Sequence, residues 1–170
     1  MAENILFGPN KNAKPVRKDQ RFPPRYPASQ RKPQIGPGLS PIQLIRKTAK
    51  TQINNSKYVT IRTVQRHKTK PLVKFTTITK EPGQQARIHT QRIYATDPNY
   101  QGPLYLCPNI RVSCTCGDHL FRAEVALSYR GSADIIFSNG DFPIETNPTL
   151  KPQVCKHVLK CLLFMVWAKI

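Results

Sequence analysis

Three stretches of the chain, 57–65, 72–80 and 87–96, are rich in Val, Ile, Thr, Tyr and Phe and are bounded by Pro, Gly or charged residues. This composition and punctuation predict β-strands. Their alternation is imperfect, and the polar positions are largely basic. A small antiparallel sheet or a set of augmenting strands is the expected outcome. Ahead of them, Ser40-Pro41-Ile42-Gln43 has the marks of a helix start: a capping hydroxyl, a proline at the first helical position, and a glutamine where a capping box requires one. A helix over 41–51 follows, apolar at Ile42, Leu44 and Ile45 and basic at Arg46, Lys47 and Lys50. It either packs on the domain or binds a partner, and packing is the reading adopted. Further along, residues 120–129 combine good helix formers and run into Arg130-Gly131, a plausible stop. Residues 133–138 predict a buried strand and Asn139-Gly140 a tight turn. From about Val154 the apolar residues Val158, Leu159, Leu162, Leu163, Phe164, Val166 and Trp167 predict a buried C-terminal helix.

The first 39 residues break this pattern. They hold seven prolines and few apolar side chains, through which no face of period 2 or 3.6 can be drawn. Such a segment cannot bury enough surface to offset its ordering entropy, so it predicts an extended, polyproline-biased arm, or else an inert tail. Charge follows the same division. Of 27 Lys and Arg and nine Asp and Glu (net +18), residues 1–80 hold 18 bases and two acids, whereas residues 101–170 hold seven and five. The excess implies an anionic partner, either an acidic protein surface or nucleic acid met through Lys and Arg of residues 11–80. No membrane partner is expected. The most apolar run, 161–168, is bracketed by Lys160 and Lys169 and far shorter than the roughly 20 residues a span needs. The opening Met-Ala-Glu-Asn lacks a basic head and apolar run, so no secretory signal is expected and the five cysteines should stay reduced.

Reduced cysteines favour metal ligation. Cys114-Thr115-Cys116 and Cys155-Lys156-His157 supply three thiols and an imidazole, a common ligand set for a closed structural zinc site. Cys114, Cys116, Cys155 and His157 are therefore the candidate ligands, and zinc the expected cofactor. The alternatives are buried thiols with no metal, or His119 or Cys161 in place of one of the four. Cys161 lies one helical turn beyond His157 among apolar residues, which suits the core better. Cys107, before Pro108, is expected to be a buried thiol.

The Cys-x-Cys pair followed by Cys-x-His resembles the SWIM-type zinc finger. The match runs from Cys114 to His157, although 38 residues separate the two halves, more than is typical of that finger. The resemblance implies a short strand through Val112 leading on to a helix from about Val154. Arg130-Gly131-Ser132-Ala133-Asp134 and Asn147-Pro148 ahead of Cys155-Lys156-His157 extend it to small SWIM-finger virion structural proteins of tailed bacteriophages. That likeness implies a component of the particle, at the baseplate or neck, with a virion rather than a cytoplasmic location. The chain then reads as α+β: an extended basic arm over 1–39, a basic helix plus β-strands over 40–100, and a SWIM-like zinc domain over 101–170 with short antiparallel strands and a buried C-terminal helix.

Enzymatic chemistry is not expected. The chain has no phosphate-cradling Gly-rich loop, no Gly-x-Ser-x-Gly elbow and no His-Glu-x-x-His helix. The nine acids are scattered, His119 and Glu124 are expected to be structural, and zinc would quench the thiolate of Cys155. Two functions remain: an assembly protein that binds other subunits of a large particle, and a SWIM-type nucleic-acid-binding protein.

Overall fold

The computed structural model describes residues 36–138 and 140–170. The arm expected over 1–39 lies, up to residue 35, outside the described residues. Four strands, β1 (Val59–Arg66), β2 (Leu72–Thr79), β3 (Arg87–Ala95) and β4 (Ile110–Cys114), form an antiparallel sheet in sequence order. Strict alternation along β2 buries Val73, Phe75, Thr77 and Thr79, and β3 buries Gln91, Ile93 and Ala95. Register then sets inward residues side by side: Val73 with Ile93 with Val112, and Phe75 with Gln91 with Cys114. A bulge between Ile61 and Thr63 shifts β1, and beyond it the strand is exposed.

The inward face is covered by the C-terminal helix α4 (Lys156–Ala168), which buries Val158, Leu159, Cys161, Leu162 and Met165. Its other side leaves Leu163 and Trp167 exposed, so the helix is buried along one face only. Phe164 meets Phe75 edge-to-face. Residues 40–100 and 101–170 share this sheet and one apolar core.

The N-terminal helix departs from expectation. Its start is as the sequence predicts: Ser40 accepts from the Gln43 N–H, Gln43 Oε1 accepts from the Ser40 N–H, and Pro41 is first in α1 (Pro41–Lys47). The expected single helix over 41–51 nevertheless breaks at Thr48 and Ala49, which are extended, and resumes as α2 (Lys50–Asn55). The break lets Thr48 Oγ1 accept the Val154 N–H (3.3 Å) and Gln52 Oε1 accept the Lys156 N–H (3.1 Å). Both amides belong to the segment that opens α4. A free helix N-terminus leaves such donors unpaired.

The expected helix over 120–129 begins as a wide π-turn, His119–Ala123, before α3 (Glu124–Ser128). The buried strand expected over 133–138 does not form. The Glu124 carboxylate accepts the N–H groups of Ile136, Phe137 and Ser138, leaving them unavailable to a ladder, and Ile135, Ile136 and Phe137 are 43–49% exposed. Asn139 of the expected turn is not among the described residues. Segment 130–134 instead runs along the outer edge of β4, where the Ser132 carbonyl accepts the Val112 N–H. No helix among the described residues is long and apolar enough to cross a membrane.

Candidate metal centre

Cys114 is the last residue of β4, on the inward face of the sheet. Cys116 follows in the turn entering the π-helical segment, and its carbonyl accepts from the His119 and Leu120 N–H groups. Cys155 is the N-cap residue of α4, and His157 is the helix's second residue. Thr48 and Gln52 hold the amides on either side of Cys155. The sheet and the helix thus each contribute one pair.

The four ligand atoms lie within 4.8 Å of one another, and all four residues are buried, between 0 and 4% exposed. The residues singled out from sequence are brought together here. His157 Nε2 is 2.6 Å from Thr79 Oγ1, while Nδ1 is buried with no hydrogen-bond partner. A buried imidazole nitrogen without a partner is costly unless something else engages its lone pair. That vacancy, beside three sulfurs, fits a metal ion.

Thiol electrostatics point the same way. Burial pushes Cys114 up to about 12 and Cys155 well above the ordinary thiol range. Hydrogen bonds from Cys114 and Cys155 hold Cys116 far below it. Of the three sulfurs, Cys116 is thus the one whose surroundings favour the thiolate. A bound cation removes this asymmetry, because a coordinating thiol is deprotonated outright.

Further groups support the cluster. Gln91 is fully buried; its Nε2 donates to Thr77 Oγ1 (3.0 Å) and to Cys114 Sγ (3.5 Å). Its Oε1 accepts from Cys161 Sγ at 3.7 Å, so Cys161 belongs to the surroundings of the cluster rather than to the ligand set. The His119 N–H donates to Cys116 Sγ (3.4 Å). Its ring is fully buried with neither nitrogen partnered, and burial holds its pKa below the ordinary value. Cys107 is buried elsewhere, its Sγ donating to the Asn109 carbonyl (3.2 Å). All five cysteines are free.

Sequence reasoning missed Thr79, Gln91 and His89. The His89 ring lies 4.4 Å from that of His157 and lines a surface depression of about 240 Å³ with Arg87, Gln84, Gly117 and Lys156. Burial and the neighbouring His157 lower the pKa of His89. Lys156 is paired with Glu81 across this depression, and that contact lowers the Glu81 pKa. A polar residue at an inward position, as Gln91 is between Ile93 and Thr77's strand, is the available signal, but it is readable only once the buried face is known.

Compared with protein-family models, with curated proteins and with solved structures, the chain finds no match. The centre is therefore read from its own chemistry: four buried N and S ligands, two hydrogen-bonded sulfurs and an oriented imidazole form a site that can hold a metal ion.

Proposed function

We propose that this chain is a non-enzymatic structural protein of a larger assembly, with a SWIM-like zinc centre that clamps β4 to α4 and a basic N-terminal segment that binds neighbouring subunits. The observation that supports this reading is the ligand set: four buried protein ligands, three thiols and an imidazole within 4.8 Å of one another, are the number and type that a structural zinc ion takes. A centre of that kind contributes to folding, on the order of 10 kcal/mol for structural zinc, rather than to catalysis. The Cys-x-Cys and Cys-x-His resemblance supports a virion component of a tailed phage, at the baseplate or neck. The concentration of Lys and Arg in residues 1–80 supports acidic partner surfaces.

Capture by purified particle proteins tests this, comparing the full chain with one lacking residues 1–35, which keeps the contacts of Gly36 and Leu39. Binding by the full chain and its loss on truncation are expected. Equal capture of both would remove the N-terminal segment from the function.

A second reading, nucleic-acid binding, is favoured by one observation: no Asp or Glu occurs between Asp19 and Glu81. Strands β1 and β2 fall within this stretch, and β3, beyond Glu81, contains no carboxylate either.

A further inference from the structure

Lys74 of β2 and Arg92 of β3 are directly opposite each other in the register. Their chain neighbours Val73, Phe75, Gln91 and Ile93 point into the core, so both cations stand on the outer face of the sheet, and both are exposed. Directly opposed side chains have Cβ atoms about 5 Å apart, and like charges so placed are destabilising. Among the described residues neither forms an ion pair with a carboxylate, and Asp134, an acid one row away, is engaged by Tyr94 and Arg111.

The surroundings repeat the theme. The next row along the face is Thr63, Thr76 and Thr90, three hydroxyls side by side, and Gln65 flanks Lys74. Arg62 is exposed at the bulge, and the β1–β2 connection adds exposed His67, Lys68 and Lys70. The apolar groups of the face lie in the rows beyond these: half-buried Leu72 and Tyr94 on the other side of Lys74 and Arg92, and Ile78 and Ile88 at the far end of the strands. Protein interfaces are anchored by aromatic and aliphatic residues at their centre. The centre of this face has cations and hydroxyls instead, the groups that contact phosphate oxygens in nucleic-acid complexes.

We propose that the outer face of the sheet, centred on Lys74 and Arg92, docks the phosphodiester backbone of a nucleic acid. This deepens the nucleic-acid reading above and rests on it, but places the contact away from the metal centre, on the opposite side of the sheet. Phosphates seated over the Lys74–Arg92 row relieve a repulsion the free protein carries. Recognition through phosphates alone is indifferent to base sequence.

The test is a salt titration of the full chain on a labelled duplex and a labelled single strand, with Lys74→Gln/Arg92→Gln against a control, Lys151→Gln/Lys169→Gln, altered at exposed lysines elsewhere. Losing two phosphate contacts reduces the slope of log affinity on log salt by about 1.8 on duplex, so that the affinity loss between about 50 and 200 mM salt shrinks roughly tenfold. The control should lose none of this. Equal losses in both variants would leave a generic polycation and overturn the assignment to this face. No salt-dependent binding by the wild type would overturn the nucleic-acid reading itself. Unchanged nucleic-acid binding with lost capture of an acidic particle protein would give the face to a protein partner. Should the double variant fail to fold, acylation of lysines in the wild-type chain decides the matter: bound nucleic acid should protect Lys74 and not Lys151, and equal labelling of Lys74 with and without it would refute the proposal.

Discussion

Thr79 Oγ1 lies 2.6 Å from His157 Nε2, across 78 residues of chain, and this contact orients the imidazole of the candidate metal centre. If Nδ1 gives its lone pair to a cation, the ring proton sits on Nε2 and is donated to the threonine hydroxyl. Partners of this kind fix the tautomer and ring angle of a metal-bound histidine, and their loss costs about 10–100-fold in metal affinity. Thr79→Val is therefore expected to weaken zinc binding by that factor in a competition with a chromophoric chelator. Thr79→Ser, which keeps the hydroxyl, should bind nearly as wild type. Equal affinity of the Val variant would show that Thr79 does not hold the ring.

The five cysteines divide by location. Cys114→Ser and Cys155→Ser each remove a ligand at a buried position, and elemental analysis of either purified variant should find much less than one metal per chain, with a melting temperature near that of chelator-treated wild type. Cys107→Ser, whose thiol donates to the Asn109 carbonyl and lies outside the cluster, should keep full metal content. Cys161→Ser should keep the metal as well, since its sulfur meets Gln91 and not the cluster. Metal lost from the Cys161 variant and kept by the Cys155 variant would reassign the ligands.

Gly131 has φ +72, and a Cβ built there would lie 2.1 Å from the carbonyl oxygen of Gly36. The approach is close because Gly36 and Gly38 donate to the carbonyls of Tyr129 and Arg130, fastening the entering chain beside α3. Gly83, with φ +71, has nothing within 4 Å of its added Cβ. Left-handed backbone costs a non-glycine residue about 1–2 kcal/mol, and Gly131→Ala adds a backbone clash that Gly83→Ala does not. Denaturant unfolding should place Gly83→Ala about 1 kcal/mol below wild type and Gly131→Ala at least about 2 kcal/mol below. Equal losses would mean that the Gly36 segment moves aside freely.

Tyr94 and Arg111 are cross-strand neighbours that both engage Asp134, which pins segment 130–134 to the sheet. Burial, and then the Asp134 carboxylate that accepts its O–H, push the Tyr94 pKa up to about 12. A phenol whose folded pKa is raised contributes stability that is complete below its unfolded pKa of about 10 and is lost as pH rises toward 12. Tyr94→Phe should cost about 1 kcal/mol at neutral pH. Its deficit against wild type should shrink between about pH 10 and 12. A constant deficit across that window would show that the hydroxyl's proton is not involved.

What the sequence disclosed and what it hid follow from the range of the interactions. Cys114 with Cys116, and Cys155 with His157, are local pairs, so their chemistry was legible as spacing; the three strands were legible from their Val, Ile, Thr, Tyr and Phe content, although which face turns inward was not. The break at Thr48 was not, because the groups that stabilise it, the amides of Val154 and Lys156, lie 106 and 104 residues away. Residues 133–138 look like a strand because Ile135, Ile136 and Phe137 are apolar. Their backbone is set instead by Glu124, whose role no periodicity reveals. Thr79 and Gln91 resemble surface residues of a strand until the position of α4 defines the inward face.

Glu124 is fully buried, yet its carboxylate is held charged. Burial alone would raise its pKa, but the hydrogen bonds from Ser138, Ile136 and Phe137 together outweigh burial and bring it below the ordinary value of 4.5. An acid whose folded pKa is depressed contributes stability that is present above the unfolded pKa and lost as pH falls through the folded one. Between neutral pH and about 5 the contribution should therefore be constant, and below about 4.5 it should decline. Glu124→Gln keeps the shape, replaces one acceptor oxygen with a donor amide facing backbone donors, and should cost about 2 kcal/mol at neutral pH. Measured against wild type, that cost should diminish on acidification below pH 4.5. Any metal lost in the same window is lost by both proteins and cancels in the difference. A deficit that stayed level to the lowest pH at which both fold would mean that segment 136–138 binds the side chain's shape and not its charge.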